Sequence, residues 1–331
     1  MIKSFKASLP ALAFGALMAF AASASAQQDY PNRPIRLITG YAAGGTTSLV
    51  ARLIGQKLTE SWGQQVIVDN RPGGGTIIGT EVLAKSPADG YNLMVVDSVH
   101  VLAPLLLKAP YDPIKDFAPV ATIAATELIL LLHPSVPVNN LEEFIAYAKS
   151  RPGKLNYATP AIGGSQHLAS EVLNLSAGIN TQHIPYKGAG PALTGLLGGE
   201  VDMYFATTAT GAPYIKSGRV KAMATTGKKR SPVLPEVPTF DEAGLPGFYG
   251  QMRAPYGIIA PAGTPKPIID KLSAEIMRYV VQPEFRDALI NMGLDPYPAT
   301  SSEYAEVLKA GMAWNIDTIA TLKKRNVKFE Y

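Results

Sequence analysis

The sequence predicts an α/β fold in two similar lobes, with a central cleft and two crossovers of the chain between them. Three observations carry that prediction. From residue 35 onward, short apolar runs alternate with amphipathic helical patterns, the order that builds sheets covered by helices on both faces. A unit of strand, glycine-rich corner and helix occurs twice, at "RLITGYAAGGTTSLVARLI" and at "KLNYATPAIGGSQHLASEVL". Stretches near 120–127 and 250–256 read as crossings between lobes, so that the C-terminal helices complete the first one.

The elements follow in order. Residues 1–26 stand apart. Lys3 and Lys6 form a basic start, Leu9 to Ala22 is a short apolar run broken by Pro10 and glycine, and Ala24-Ser25-Ala26 is a small-x-small site before Gln27. This is the pattern of a cleaved secretory signal peptide, and the run is too short for a membrane span. The expected mature chain keeps about 305 of the 331 residues (331 less 26), enough for two domains with cores. Strands are expected at 35–40, 65–69, 91–96, 119–124, 128–132, 155–158, 181–185, 201–206, 220–225 and 256–260. Helices are expected at 47–61, 76–85, 140–150, 166–177, 189–198, 208–216, 265–281, 283–291 and 301–325. The alternation points to parallel sheets. Gly63, Gly178, Gly218 and Gly293 follow helices as stop signals. The two crossings divide the mature chain into a first lobe, 27–124 with 254–331, and a second lobe, 125–253.

Composition removes several function classes. No cysteine is present, which excludes disulfides, thiol chemistry and a cysteine-linked lipid anchor. Loss of Lys3 and Lys6 takes the formal charge from +4 to +2 (+4 less two lysines). No basic stripe with interleaved aromatics occurs, "GKKR" at 227–230 reads as a solvated turn, and no nucleic-acid partner is expected. His100, His133, His167 and His183 fall in no zinc-binding spacing, so neither a metal nor a cofactor is implied.

The two corners carry the chemistry. A helix N-terminus has unpaired N–H groups and partial positive charge, and a glycine pair lets a ligand approach the backbone. Thr46, Thr47 and Ser48 add short donors at the first corner. Thr159, Gly163, Gly164, Ser165 and His167 repeat the arrangement at the second. Each corner suits a carboxylate, and two facing across a cleft suit a ligand with two anionic ends; a lone corner of this kind more often serves only packing. The stretch "NRPGGGTIIG" at 70–79 superficially resembles a dinucleotide loop, with Asp97 ending the next strand, but its spacing is GxGxxxG and it reads as a rim of the cleft. His167, near a helix start, is expected to be neutral. Arg253 in "YGQMRAPYG" is a candidate two-pronged carboxylate grip at the second crossing, with a surface ion pair as the alternative. Tyr41, Tyr186, Tyr256 and Phe205 are candidate aromatic walls or, equally, core residues.

Taken together, "PIRLITGYAAGGTTSLVAR", "VIVDNRPGGGTIIGTEVLAKSPADGYNLM", "LNYATPAIGGSQHLASEVL", "HIPYKGAGPALTGLLGGEVDMYF", "LPEVPTFDEAGLPG" and "IIAPAGTPKPIIDKL" resemble the Bug family, the TctC-like extracytoplasmic receptors of tripartite tricarboxylate transport. The resemblance spans essentially the whole mature chain, in order. It implies a type II periplasmic binding protein of the Venus-flytrap kind, a monomer that binds a small carboxylate and delivers it to a membrane permease. It places ligand contacts on Tyr41, Ala43, Gly45 and Thr46 to Ser48, on Thr159, Ala161 and Gly163 to His167, and on the loop Ala206, Thr207, Thr208 after "VDMYF". Two departures stand out. Ser48 occupies the place of a common family aspartate, which disfavours amino-acid ligands and favours other di-acids. Pro255 stands where an aromatic is usual, which makes room for a wide, flat ligand such as terephthalate. The rival reading is an exported serine hydrolase using Ser165 and His167; a second rival is a receptor that signals rather than transports.

Overall fold

The computed structural model describes residues 30–248 and 254–324. The expected signal peptide and Arg253 lie outside them. Two sheets organise the chain. In the first, β1 (Ile35–Thr39) runs parallel to β2 (Val66–Asn70) and β3 (Asn92–Val96). Next to β3 comes β10 (Ala254–Pro261), then β4 (Phe117–Thr126) and β11 (Asp295–Ala299) at the edge. The second sheet has the order β7 (Gln182–Pro185), β6 (Asn156–Thr159), β8 (Met203–Thr207), β5 (Leu128–Leu132) and β9 (Lys221–Thr225).

The expectation of parallel sheets needs correction, because both are mixed. β10 is antiparallel to β3 and β4, and β5 is antiparallel to β8 and β9. The reason lies in the crossings. The chain leaves the first sheet along β4, with Glu127 alone separating it from β5, and returns along β10. A strand going out and a strand coming back at one hinge run opposite ways.

Helix α1 (Thr46–Trp62) shows why the helices sit where they do. Val50, Ala51, Ile54 and Leu58 form one apolar stripe at helical spacing and bury against Ile35, Leu37 and Leu93. Gly63 then stops the helix at φ 66°, and Gly178, Gly218 and Gly293 also adopt positive φ after their helices. In the second lobe, Leu128, Leu130 and Leu132 of β5 face one core while Ile129 and Leu131 face the other, as a central strand covered on both faces requires.

Two elements absent from the sequence reading matter for the site. Helix α3 (Val99–Leu106) contains Pro104, which masks its helical pattern. Strand β11 holds Pro296 and Pro298 and is tolerated because it lies on an edge. The remaining helices follow the expected order: α2 (Ile77–Ala84), α4 (Leu141–Lys149), α5 (Ser165–Ala177), α6 (Ala189–Leu197), α7 (Thr208–Lys216), α8 (Lys266–Val280), α9 (Pro283–Asn291) and α10 (Ser301–Lys324). The last of these bridges the lobes, with Ile319 packed against Leu102 of α3 and Leu168 of α5.

Candidate ligand-binding cleft

The two glycine-rich corners adopt the same backbone shape. Gly44 has φ 93° and Gly163 φ 70°. The following glycines are the helix N-caps, Gly45 at φ −90°, ψ 165° and Gly164 at φ −78°, ψ 169°. Neither helix has a side-chain cap or an acidic residue in its first turn. The first-turn N–H groups of α1 and α5 therefore have no carbonyl of their own helix to bond, and each helix presents the positive end of its dipole.

Both corners lie where the lobes meet. Thr46 Oγ and Thr207 Oγ are 2.6 Å apart across the junction, and Thr207 Oγ also bonds Thr210 Oγ at 2.8 Å. Ala42 N donates to Lys187 O at 3.3 Å. A methyl at Gly190 would stand 2.9 Å from Ala43 O, so glycine is required for this close approach. Ala161 of the second corner packs with Tyr41, Val99 and Ala103 of the first lobe. The lobes are closed on one another.

Between them lies a cavity of about 180 Å³ whose lining includes Asp97, Ser98, Pro255, Ser165, Leu168 and Trp314. Asp97, at the end of β3, accepts from Tyr41 OH at 3.0 and 2.9 Å on its two oxygens and from Val99 N at 2.9 Å. Burial raises its pKa against these bonds and one from the Thr47 side chain. Burial and the Asp97 charge hold the Tyr41 phenol neutral, its pKa well above the ordinary value. Ser98 Oγ and the fully buried Tyr204 OH have no protein partner. The Tyr204 phenol lies near enough to Tyr41 and Tyr256 to raise their pKa values electrostatically.

The sequence candidates separate into groups. Thr46 and Thr207 face the junction, with Ala43 and Gly45 in close contact with α6, while the Thr47 side chain bonds Asp97 within the first lobe. Thr208, which opens α7, donates its N–H to Glu127 O at 3.4 Å at the first crossing, and Ala206 packs inside the second lobe. Ser48 is buried, but its hydroxyl receives Asn70 Nδ2 at 3.3 Å and Arg52 at 3.4 Å within the first lobe. Phe205 stands apart from the cleft, fully buried with its ring 6.0 Å from those of Phe240 and Phe248. Tyr186 donates to Glu200 on the surface. The loop at 70–79 approaches the second corner, since a methyl at Gly75 would stand 3.3 Å from Ile162 O.

His167 is neutral, with its pKa lowered to about 3 by burial and by His183, on which it stacks at 4.2 Å. Its Nδ1 accepts from Gly163 N at 3.0 Å. Thr159 Oγ bonds His183 Nε2 at 2.5 Å. Ser165 Oγ donates to Gln166 Oε1 at 3.1 Å, so neither Ser165 nor the Nδ1 lone pair of His167 is arranged as a nucleophile and its base.

Asp97 and Ser98, which line the cavity, and Thr210, which bonds Thr207 at the junction, were not among the sequence candidates. The available signal was position, because strand C-terminal ends line clefts of this kind. Although Ser48 stands where the family commonly has an aspartate, the cavity has a carboxylate in its lining, Asp97 from the end of β3.

Comparison with known proteins settles the class. The sequence pattern described as "Tripartite tricarboxylate transporter family receptor", TctC, matches residues 50–322. The chain belongs to this receptor family. Among solved structures, Rpa4515 of R. palustris with adipate superposes with TM-score 0.86 at 31% identity, covering 89% of this chain and 99% of that one. The periplasmic binding protein BugD gives 0.84 at 33%, covering 89% and 99%. MatC from Rhodopseudomonas palustris with bound malate gives 0.81 at 31%, covering 88% and 100%. The family and these neighbours are solute-binding receptors, not enzymes, and the neighbours share the two-lobed fold.

Proposed function

We propose that this receptor captures a small carboxylate between its lobes in the periplasm and hands it, unchanged, to the membrane permease of a tripartite tricarboxylate transporter. One observation carries the reading: two uncapped helix N-termini of matching backbone shape, one from each lobe, both lie at the junction of the lobes, α1 beside Thr207 and α5 on the cavity wall. Each is a socket for an anion. In the open form both are hydrated. When a bound carboxylate brings them together, its charge is stabilised by donors from both sides, which ties closure to ligand chemistry. The signal-peptide pattern in residues 1–26 supports export.

Two sockets favour a dicarboxylate, and the neighbours that hold adipate and malate fit that class. The cavity wall is largely apolar, with Leu168 and Trp314 on it and Pro255 at its edge, which suits a ligand with a flat or aliphatic body such as terephthalate. Tyr41, Thr46, Thr47, Ser165 and the first-turn amides of α5 are the contacts this reading assigns. Isothermal titration calorimetry with mono-, di- and tricarboxylates, aliphatic and aromatic, tests it. A dicarboxylate is expected to bind at least tenfold more tightly than its monoacid analogue. Equal affinities would remove the bridging role of the two corners, and no binding by any carboxylate would remove the reading altogether.

A further inference from the structure

The two corners share a backbone shape but are braced by different groups. In the second corner the chain turns from Ala161 to Gly164, whose N–H donates to Ala161 O at 3.3 Å, with Gly163 inside the turn at φ 70°. The peptide between Ile162 and Gly163 is the centre of that turn, and the turn's own bond leaves its N–H unused. This N–H donates to His167 Nδ1 at 3.0 Å. His167 is the third residue of α5, where a capping box places a glutamate or glutamine that accepts a backbone N–H at the helix entrance. Its ring is 2% exposed and stacks on His183 at 4.2 Å and 18°. His183 is fixed in turn by the bond between its Nε2 and Thr159 Oγ at the end of β6. The first corner is braced from outside its helix: Asn70 of β2 donates to Tyr41 O at 2.8 Å and to Ser48 Oγ at 3.3 Å.

A trans peptide is planar, with its N–H and C=O pointing opposite ways, so the bond to His167 also aims Ile162 O. That carbonyl faces the first lobe, where a methyl at Gly75 would stand 3.3 Å from it. Type I and type II turns differ by a flip of this central peptide, and glycine at the third position admits both. We propose that His167 is a positioning residue: its Nδ1 lone pair fixes the central peptide of the second corner, so that the first-turn amides of α5 stay aimed at the junction and Ile162 O seats against the first lobe. The consequence for binding rests on the carboxylate reading. The imidazole braces the corner without charge. A glutamate in its place would suit the helix dipole but repel a carboxylate arriving there, and an imidazolium would have no lone pair to offer. Burial and the neighbouring His183 keep the ring neutral.

Two kinds of measurement test this. Long-range proton–nitrogen spectra of the ligand-free mature protein at neutral pH should place the His167 proton on Nε2 and leave Nδ1 bare; a proton on Nδ1 would overturn the role whatever the ligand proves to be. Two variants then separate the acceptor from the ring. His167→Phe keeps a flat ring against His183 and removes the acceptor, whereas His167→Gln gives up the ring and returns an acceptor of the capping-box kind. Calorimetry with adipate, malate and terephthalate as probes is expected to show the tightest of the three weakened about tenfold in His167→Phe, with at least threefold of that loss recovered in His167→Gln. The Gly163 amide should exchange with solvent faster in His167→Phe than in His167→Gln. A role confined to packing predicts the reverse order, so His167→Phe matching or exceeding His167→Gln in affinity or in Gly163 protection would overturn the proposal. If His167→Phe does not fold, the tautomer and the Gly163 protection of His167→Gln against wild type decide it. Binding of none of the probes would count against the carboxylate reading, while the tautomer and Gly163 exchange would still decide the positioning role.

Discussion

Gly190→Ala separates lobe closure from lobe folding. Gly190 lies in α6 with an ordinary helical backbone, so alanine is locally favourable, by about 1 kcal/mol of helix propensity. The obstacle is across the junction, where the new methyl would stand 2.9 Å from Ala43 O, a backbone atom of the first corner. Carbon–oxygen approaches normally stop near about 3.3 Å, so the lobes must separate by roughly 0.4 Å there. The Ala42 N to Lys187 O bond, already 3.3 Å long, would then pass the limit of a useful hydrogen bond. Its loss costs about 1 kcal/mol, and residual crowding adds about 1 more. Affinity for any ligand that requires closure should fall about 10- to 30-fold, while the thermal midpoint of the ligand-free protein stays level or rises. Calorimetry gives the affinity, and small-angle scattering with and without ligand gives the closure. Unchanged affinity together with full closure would refute the argument that this contact belongs to the working closed state.

Other expectations follow from the same junction. Thr46→Val removes the hydroxyl 2.6 Å from Thr207 Oγ, which keeps Thr210 as a partner; one net hydrogen bond of about 1 kcal/mol predicts about fivefold weaker binding, and calorimetry showing no loss would remove this bond from the closed state. Gly163→Ala combines a φ of 70° with a methyl 2.7 Å from Leu106 Cδ1 of the opposite lobe, so ligand-induced closure by scattering should be lost or much reduced, and full closure would contradict the packing of this corner. Burial lowers the pKa values of His100, His167 and His183 from 6.5 to about 4, 3 and 4, with His183 adding to the effect on His167. The unfolded chain therefore takes up these protons first, and their stabilising contribution is complete above pH 6.5 and lost as pH falls from there toward 4. His183→Gln should flatten part of the fall in thermal midpoint over that range, and parallel midpoint curves for the two proteins would contradict it.

Local chemistry made much of this molecule legible. The glycine pair and hydroxyls of each corner are a backbone requirement written in residue type, and both corners fold alike. Helix stops at Gly63, Gly178, Gly218 and Gly293 were readable for the same reason. Long-range order was not. Nothing local to "APYGIIAP" reveals that β10 inserts antiparallel between β3 and β4. In "MYFAT" every residue is buried, so alternation marks no inside or outside, and Phe205 could not be assigned to the core rather than the cleft. Ser48 was placed correctly on the corner helix, but which lobe its hydroxyl serves depends on Asn70 from β2. Asp97 carried no motif; only the meeting of the end of β3 with α5 and α10 gives it a cavity to border.

The most direct measurement is a crystal structure with the tightest-binding carboxylate of the panel. The account predicts an intact ligand inside the junction, with carboxylate oxygens within about 3.2 Å of first-turn amides or hydroxyls from both α1 and α5. A ligand bound to one lobe alone, seated outside the junction, or recovered chemically altered would contradict it.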